Sequence, residues 1–455
     1  MDETKKTIYL VVAAVGLAGL ALVSVPRIST PDAFADRGEP FFPDFTDPNT
    51  ALTLEVVEFD EETAAARPFK VTNQDGVWTI PSHYEYPADG ADRLAETAAA
   101  VIGITRDDFR SDNVADHQAL GVLDPVDDTE TSLVGRGTRV TLRGDNEVAL
   151  ADFIIGNEPE DRTGFRFVRL PDQKRVYAAR MDIDLSTQFA DWIEADLLLV
   201  ERDEIDRIVL HDYSINERTY TIAERDIVTV SKTDGTWLGD RRMPNNREID
   251  ESKVNGLLSA IDGLSIVGVR PKPPGLSVGL TQLDAVAGLA RADVLSLQSR
   301  GYYLTRDGGL RSNEGDLEVR SSEGILYTLR FGEVLYGTGE AISAGAAETA
   351  DASSGPGENR YLFITAEFEA DRFSEPPLPS NMEFEGKEEN DLTDADRTNK
   401  ARHEVHTTWQ SDMARRAGRI AELDARFAPW YYVISSESFD KVHLTRTDLT
   451  KDKAN

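Results

Sequence analysis

The sequence contains no cysteine, and cationic residues are few for its length of 455 residues. The absence of cysteine excludes a disulfide framework, a thiolate metal site, a cysteine nucleophile and a lipid-modified cysteine behind a leader. The 49 Lys and Arg stand against 82 Asp and Glu, which gives a formal charge of −33. Affinity for nucleic acid comes mostly from cations that displace condensed counterions. We therefore expect no nucleic-acid partner.

Common catalytic motifs are also missing. The sequence has no GxSxG elbow, no GxxxxGK[ST] phosphate loop and no GxGxxG fingerprint. Only His403 and His406 cluster, and their HEVH spacing falls one residue short of an HExxH zinc site, so we interpret them as part of a solvated helix face. Carboxylate pairs such as Asp182 and Asp184 are too common among 82 acids to indicate glycoside hydrolysis. We predict no catalytic, cofactor-binding or metal-ligating residues, no cofactor and no enzymatic activity.

The remaining histidines stand alone in the sequence. We expect each of them to lie at the surface or to be held by a hydrogen bond: His83, His117, His211 and His443.

One long uncharged run lies near the start, at residues 7–25. As a helix rising about 1.5 Å per residue it spans roughly 28 Å, which matches the hydrocarbon core of a bilayer. Lys5 and Lys6 precede the run, which predicts a cytoplasmic N-terminus at residues 1–6 and transfer of the rest across the inner membrane. We therefore predict a single-pass protein whose bulk is extracytoplasmic, or periplasmic.

A cleaved signal peptide is the alternative to this anchor. Ala33-Phe34-Ala35 before Asp36 has the small-x-small form of a cleavage site. The apolar run is longer than the roughly 7 to 15 residues usual in a leader, which favours an uncleaved anchor. Residues 26–50 contain five prolines and little apolar periodicity, and we interpret them as an extended spacer.

Two patterns of uncommon residues recur in the same order along the rest of the chain. V-x-x-x-D-G-x-W occurs at residues 71–78 and 230–237, and L-x-x-x-F-A-x-W occurs at 185–192 and 423–430. The second pattern is followed by an apolar run and then by IDRI at 205–208 or FDKV at 439–442. This recurrence predicts two copies of one module, at residues 51–204 and 205–447, with a tail at 448–455.

Local signals inside the two copies agree. Each Asp-Gly pair predicts a tight hairpin turn. An amphipathic helix is predicted after each hairpin, with Asp89 and Asp250 as N-caps. Alternating apolar residues predict strands at 138–142, 149–156, 166–170 and 175–179, answered in the second copy by 316–320, 325–332 and 361–367. The order predicts an α+β fold in which each module is an antiparallel sheet with a packed helix.

The second copy is longer by two insertions. Residues 337–357 are rich in Gly, Ala and Ser and predict a flexible loop, and the acidic residues 369–398 predict a poorly ordered segment. Residues 399–427 predict a helix without a counterpart in the first copy. Its apolar stripe is Val405, Trp409, Met413, Ile420, Leu423 and Phe427. We expect the stripe to cover the module's own sheet; the alternative is a partner-binding helix.

These features together resemble the family known as domain of unknown function 4340. The resemblance rests on the Trp-bearing hairpins, the helix that follows, the segment LGVLDP at residues 120–125 and the strand that ends at Gly156. It extends over most of residues 51–447. The resemblance implies a membrane-anchored envelope protein of the kind associated with ABC-type exporters of gliding motility, and it implies no catalytic residues.

We therefore expect a non-enzymatic, extracytoplasmic accessory or scaffold protein beside ABC-type transporter subunits. One alternative is an envelope hydrolase acting on glycan, which predicts a deep cleft with two carboxylates in different environments. Another is a glycan- or peptide-binding module, which predicts an exposed aromatic platform. The favoured hypothesis predicts that the four tryptophans of the repeated patterns are largely buried: Trp78, Trp192, Trp237 and Trp430.

Overall fold

The computed structural model describes residues 36–216, 219, 221–276, 289–305, 309–337, 342–344 and 358–453. The predicted anchor at residues 7–25 and the segment 1–6 lie outside these residues. Within the described ranges, no helix is both long enough and apolar enough to cross a membrane. The chain divides into two compact units, the first holding residues 36–70 and 91–185 and the second holding 71–90 and 186–453.

The first half of the chain forms one antiparallel sheet with two short helices. The strands are β1 (Thr53–Asp60), β2 (Ala65–Gln74), β3 (Val77–Ile80), β4 (Tyr86–Pro87), β5 (Asp108–Ser111), β6 (Thr138–Arg143), β7 (Ala149–Ile155), β8 (Phe165–Arg169) and β9 (Val176–Arg180). Their order is β4-β3-β2-β1-β6-β7-β8-β9-β5, and the division between the compact units falls inside β2. The helices are α1 (Ala91–Ile102) and α2 (His117–Leu120). Helix α1 buries Leu94, Ala98 and Val101 on one face.

The second half forms a larger antiparallel sheet, two small ones and four helices. Its strands are β10 (Ile205–Asn216), β11 (Thr221–Thr233), β12 (Thr236–Gly239), β13 (Arg247–Ile249), β14 (Gly268–Pro271), β15 (Tyr302–Leu304), β16 (Leu310–Ser312), β17 (Asp316–Ser321), β18 (Ile325–Tyr336), β19 (Glu358–Phe368), β20 (Trp430–Ser435) and β21 (Thr450–Asp452). The main sheet has the order β12-β11-β10-β17-β18-β19-β20-β14, while β13 pairs with β21 and β15 with β16. The helices are α3 (Glu251–Asp262), α4 (Arg291–Gln298), α5 (Asp394–Phe427) and α6 (Ser436–Val442).

The eight strands β3-β2-β1-β6-β7-β8-β9-β5 follow the same sequence order as β12-β11-β10-β17-β18-β19-β20-β14. In both sheets three strands come first along the chain, then a helix and an edge strand, then a four-stranded meander. This arrangement confirms the mixed α+β class with antiparallel sheets. The compact units place residues 71–90 with the second half of the chain. The module boundaries 51–204 and 205–447 stay a prediction.

Both Asp-Gly pairs form the tight hairpin turns that the sequence predicts. The backbone φ angles are 53° and 84° at Asp75 and Gly76, and 49° and 82° at Asp234 and Gly235. Positive φ at both central residues is the signature of a type I′ turn, whose twist matches that of the flanking strands. The registers agree as well, because Gln74 pairs with Val77 and Thr233 with Thr236.

The second repeated pattern does not mark equivalent elements. Residues 185–192 end in the short 3-10 helix Phe189–Trp192, whereas residues 423–430 form the end of α5 and the start of β20. Downstream, Ile205 opens strand β10, but FDKV lies in helix α6. Ser435 caps α6 by accepting a bond from the amide of Ser438, which favours the helix there.

The two predicted N-caps have different outcomes. Asp250 caps α3, since its side chain accepts a bond from the Ser252 amide at 3.0 Å. The prediction for Asp89 is wrong, because α1 begins at Ala91 and Gly90 occupies the cap position. A Cβ on Gly90 would lie 3.2 Å from Val71 Cγ1 and 3.3 Å from the Trp192 ring, so close packing selects glycine.

The acidic insertion at 369–398 is more structured than predicted. Helix α5 begins at Asp394, five residues before the predicted start, with Thr393 and Asp396 forming a capping box. Hydrogen bonds from Lys387 and Thr393 lower the pKa of the Asp396 carboxyl to about 2. In the predicted apolar stripe, Leu423 and Phe427 are buried, but Val405 is 57% exposed and lies off it. Phe427 lies edge-on against Tyr327 of the main sheet, so the C-terminal end of the stripe covers its own sheet.

The tryptophans of the repeated patterns are buried to different degrees. Trp192 and Trp237 are 0% and 6% exposed, while Trp78 and Trp430 are only half-buried. Trp78 pairs with Asn73 close to the exposed turn of its hairpin, where little chain covers it. Trp430 is the first residue of β20, and its ring packs edge-on against Tyr86.

We predict that Trp192→Ala lowers the free energy of unfolding by roughly 3 to 5 kcal/mol. The ring is fully buried and its Nε1 donates to the Ser186 carbonyl at 2.9 Å. Trp78→Ala is the matched control and should cost clearly less, because that ring is half-exposed. Denaturant unfolding of both variants checks the prediction, and equal losses would contradict it.

Candidate functional site

The histidines do not form a metal site. Among the described residues, no group of three or more His, Cys, Asp or Glu side chains could hold a metal ion. His406 is buried, and its Nε2 lies 3.0 Å from Glu375 Oε1, so the prediction of a solvated helix face is wrong for this residue. Its partner Glu375 belongs to the segment predicted to be poorly ordered. His403 lies beside the ring of Phe384.

The isolated histidines are held mostly by hydrogen bonds, as expected. His117 Nε2 lies 2.9 Å from the Lys174 carbonyl, and His211 Nε2 lies 2.6 Å from Glu224 Oε2. His443 instead stacks on the ring of Phe439 at 4.6 Å. His83 belongs to a different environment, described below.

One face of the second main sheet carries cations among aromatic rings. Arg270 of β14 lies opposite Tyr431 of β20, and Arg330 of β18 lies opposite Phe363 of β19. Residues paired in an antiparallel ladder share a face. Lys272 follows β14 two residues after Arg270, and both cations are only 7% exposed. We call Arg270, Lys272, Arg300 and Arg330 the cation cluster.

Lys272 is the most enclosed member of the cation cluster. Its Nζ donates to the Phe427 carbonyl at 3.1 Å and lies 3.6 Å from the centre of the Phe363 ring. No carboxylate among the described residues forms an ion pair with it. Burial lowers the pKa of the amine well below its usual value, and the charge of Arg330 lowers it further. The ring and the carbonyl together stabilise the ammonium that burial destabilises.

Arg270 fastens part of the glycine-rich insertion. Its Nη1 donates to the carbonyls of Ile342 and Ser343 at 2.9 and 3.2 Å, and the Tyr84 hydroxyl donates to the Ala344 carbonyl at 2.6 Å. These carbonyls belong to a short helical turn, whose last carbonyls need partners outside the helix.

The predicted flexible loop at 337–357 is therefore wrong for residues 342–344. Ile342 and Ala344 are 5% and 7% exposed. The turn passes so close to β14 that a Cβ on Gly268 would lie 2.2 Å from the Ile342 carbonyl oxygen. Only glycine allows this approach.

The two remaining cations follow the same pattern. The Arg300 guanidinium lies 4.6 Å from the centre of the Tyr431 ring, and its Nη1 donates to the Ser296 carbonyl at 3.0 Å. Arg330 Nε donates to the Leu310 carbonyl at 3.1 Å. Each side chain thus ties a covering segment to the sheet. The arrangement can fasten backbone, and it provides no nucleophile with an activating base.

His83 lies beside this face on the segment before β4. Its ring stacks on Phe189 with centroids 4.5 Å apart, and Nδ1 lies 2.9 Å from Ser82 Oγ. Burial lowers the pKa of the imidazole to about 4, and the positive charge of Arg270 acts in the same direction. His83 is therefore neutral at pH 7.

The sequence reasoning missed the cation cluster. One signal was present: Arg270 and Lys272 are spaced two apart beside a strand, so they point to the same face. Nothing local indicated that this face is covered, because the acceptor carbonyls come from residues as distant as Phe427.

The fold and the site define a mixed α+β protein whose second sheet holds its covering segments by cations. A family model described as domain of unknown function (DUF4340) matches residues 78–281. The match begins at the Trp78 hairpin and ends beyond β14, so it includes Arg270 and Lys272. No curated protein and no solved structure matches this chain.

We predict that acid weakens the fold through His83. Its pKa is lower in the folded than in the unfolded chain, so the unfolded chain binds more protons between about pH 4 and 6.5. The contribution is fully present above pH 6.5 and falls by up to about 3 kcal/mol on acidification to pH 4. His83→Gln should flatten this part of the stability profile, whereas His403→Gln should not. Chemical unfolding across this pH range is the measurement, and a wild-type slope in His83→Gln would refute the assignment.

Lys272 predicts the behaviour of stability at alkaline pH. Its folded pKa lies below the unfolded one, so wild-type stability rises with pH as the amine loses its proton in the folded state. Lys272→Met should therefore melt above wild type near pH 6, and the difference should shrink toward pH 10. Lys253→Met removes an exposed lysine and serves as the control. A difference in melting temperature that does not depend on pH would contradict the prediction.

Proposed function

We propose that this chain is a membrane-anchored, non-enzymatic accessory or scaffold protein of the DUF4340 family. Its body would act on the extracytoplasmic side of the inner membrane, beside subunits of an ABC-type transporter of the gliding-motility kind. The observation that carries the proposal is the family-model match over residues 78–281. The sequence resemblance extends the same family's motifs over most of residues 51–447.

The two sheets support a duplicated body. Eight strands appear in the same order in both, and each sheet opens with a type I′ Asp-Gly hairpin that precedes a tryptophan. We propose that residues 51–204 and 205–447 are two copies of one module. The differing outcomes of the L-x-x-x-F-A-x-W pattern mean that the proposal rests on topology and on the hairpins.

The cation cluster supports a structural role for the second sheet face. Arg270, Lys272 and Arg330 spend their donors on backbone carbonyls and hold covering segments in place. A face that is closed in this way favours a rigid body that presents its outer surfaces to a partner.

The proposed location depends on residues 7–25 and on charge. Lys5 and Lys6 favour a cytoplasmic N-terminus. A body with the net charge of −33 is repelled by anionic lipid headgroups. The proline-rich residues 26–50 would then hold the body away from the bilayer surface.

Crosslinking in intact cells that naturally carry this chain tests the proposal. We expect the tagged full-length chain to stay in the membrane pellet after an alkaline carbonate wash and to crosslink to a transporter subunit, identified by mass spectrometry. A chain that lacks residues 1–35 is the control, and it should be released by the wash. Recovery of the full-length chain without any transporter subunit would refute the partner, and its release by carbonate would refute the anchor.

A further inference from the structure

Helix α5 leaves apolar surface exposed along its N-terminal half. Val405 is 57% exposed, and Leu378 and Met382, in the segment that runs beside this part of the helix, are 60% and 38% exposed. A groove of about 510 Å³ lies between Pro376 and Pro377 on one side and Ala401 and Val405 on the other. Exposed apolar residues that gather at one groove, and are not scattered singly, are typical of a binding surface.

The groove is held open by hydrogen bonds beneath it. His406 of α5 binds Glu375, and Trp409 Nε1 donates to the Phe373 carbonyl at 3.1 Å. On the other flank, the Ser380 amide donates to Asn399 Oδ1 at 2.9 Å. The segment therefore keeps its distance from the helix without a ligand. A preformed groove loses less conformational entropy when a ligand binds.

The walls and rim limit what the groove takes. Pro376 and Pro377 have no backbone N–H, so a ligand cannot add to this wall as a β-strand. Arg397 and Arg402 line the groove. Arg402 forms no ion pair with any residue that the structure describes, and Arg397 lies 3.5 Å from Asp394 on its own helix. Two exposed cations beside apolar walls favour a ligand with a carboxylate next to its apolar side chains.

We propose that this groove docks a short segment of the partner protein, with one or two large aliphatic or aromatic side chains next to a carboxylate. The inference rests on the proposed function, because it names the surface through which the body meets its partner. The apolar side chains would lie against Val405 and the two prolines, and the carboxylate would meet Arg402.

Fluorescence anisotropy with three labelled peptides of 12 residues tests the docking site on the purified full-length chain. The first peptide carries leucines at helical spacing together with glutamates. The second has the leucines replaced by alanine, and the third has the glutamates replaced by lysine. We expect the first peptide to bind at least tenfold more tightly than either of the others. Equal binding of the leucine peptides with glutamate and with lysine would overturn the proposal.

Substitutions at the groove locate the binding. Val405→Asp should weaken binding of the first peptide at least tenfold, and Arg402→Glu should weaken it while strengthening binding of the lysine peptide. Val148→Asp is the matched control, because Val148 is 59% exposed and lies in the other compact unit. Both valines are exposed, so neither change should alter the melting temperature. Unchanged peptide binding by Val405→Asp would overturn the proposal.

Two further results separate this inference from others. If Val405→Asp converts a wild-type dimer into a monomer in sedimentation velocity, the groove is occupied by a second copy and the inference is overturned. If Val405→Asp still crosslinks to the transporter subunit as efficiently as wild type, the proposed function stands and the docking site is wrong. If the peptide binds at the groove but no transporter subunit is ever recovered, the docking site stands and the proposed partner is wrong.

Discussion

A buried cation needs an electron-rich acceptor, and in the second sheet that acceptor is mainly the backbone. Lys272 and Arg270 could have been paired with some of the 82 acids of the chain. They are bound instead to carbonyls and held near aromatic rings. A carbonyl belongs to the chain path and not to a side chain that can rotate away, so each cation fixes a segment. The positions of the α5 C-terminus and of residues 342–344 depend on this choice of partner.

The same principle separates the interior of the second unit from its surface. Acids dominate the composition, yet the enclosed cations of the sheet face keep hydrogen-bond partners that do not change with pH. His83 and Lys272 are the exceptions, because their own protonation states change the cost of burial. The groove on α5 is built differently. Its walls are apolar, and its cations remain in solvent, where they are free to choose a partner by charge.

Local signals predicted much of the fold. The Asp-Gly turns, the strands from Thr138 to Arg180 and the helix capped by Asp250 depend on residues that are neighbours in sequence. The features that were missed depend on distant residues. Arg270 binds Ile342, 72 residues away, and Lys272 binds Phe427, 155 residues away. His406 was misjudged for the same reason, because Glu375 lies in a segment whose acidic composition predicts disorder. Periodicity describes one element at a time and does not show which element will cover it.

The two sheets differ most at a single connection. Strands β8 and β9 are joined by residues 170–175, whereas the corresponding strands β19 and β20 are joined by residues 369–429. Register between antiparallel neighbours is set by the ladder, so a connection can lengthen without moving the strands. A roughly tenfold longer connection costs only about 2 kcal/mol in closure entropy. A hairpin end is thus a place where evolution can graft a new recognition element onto an old sheet, and helix α5 with its groove occupies such a graft.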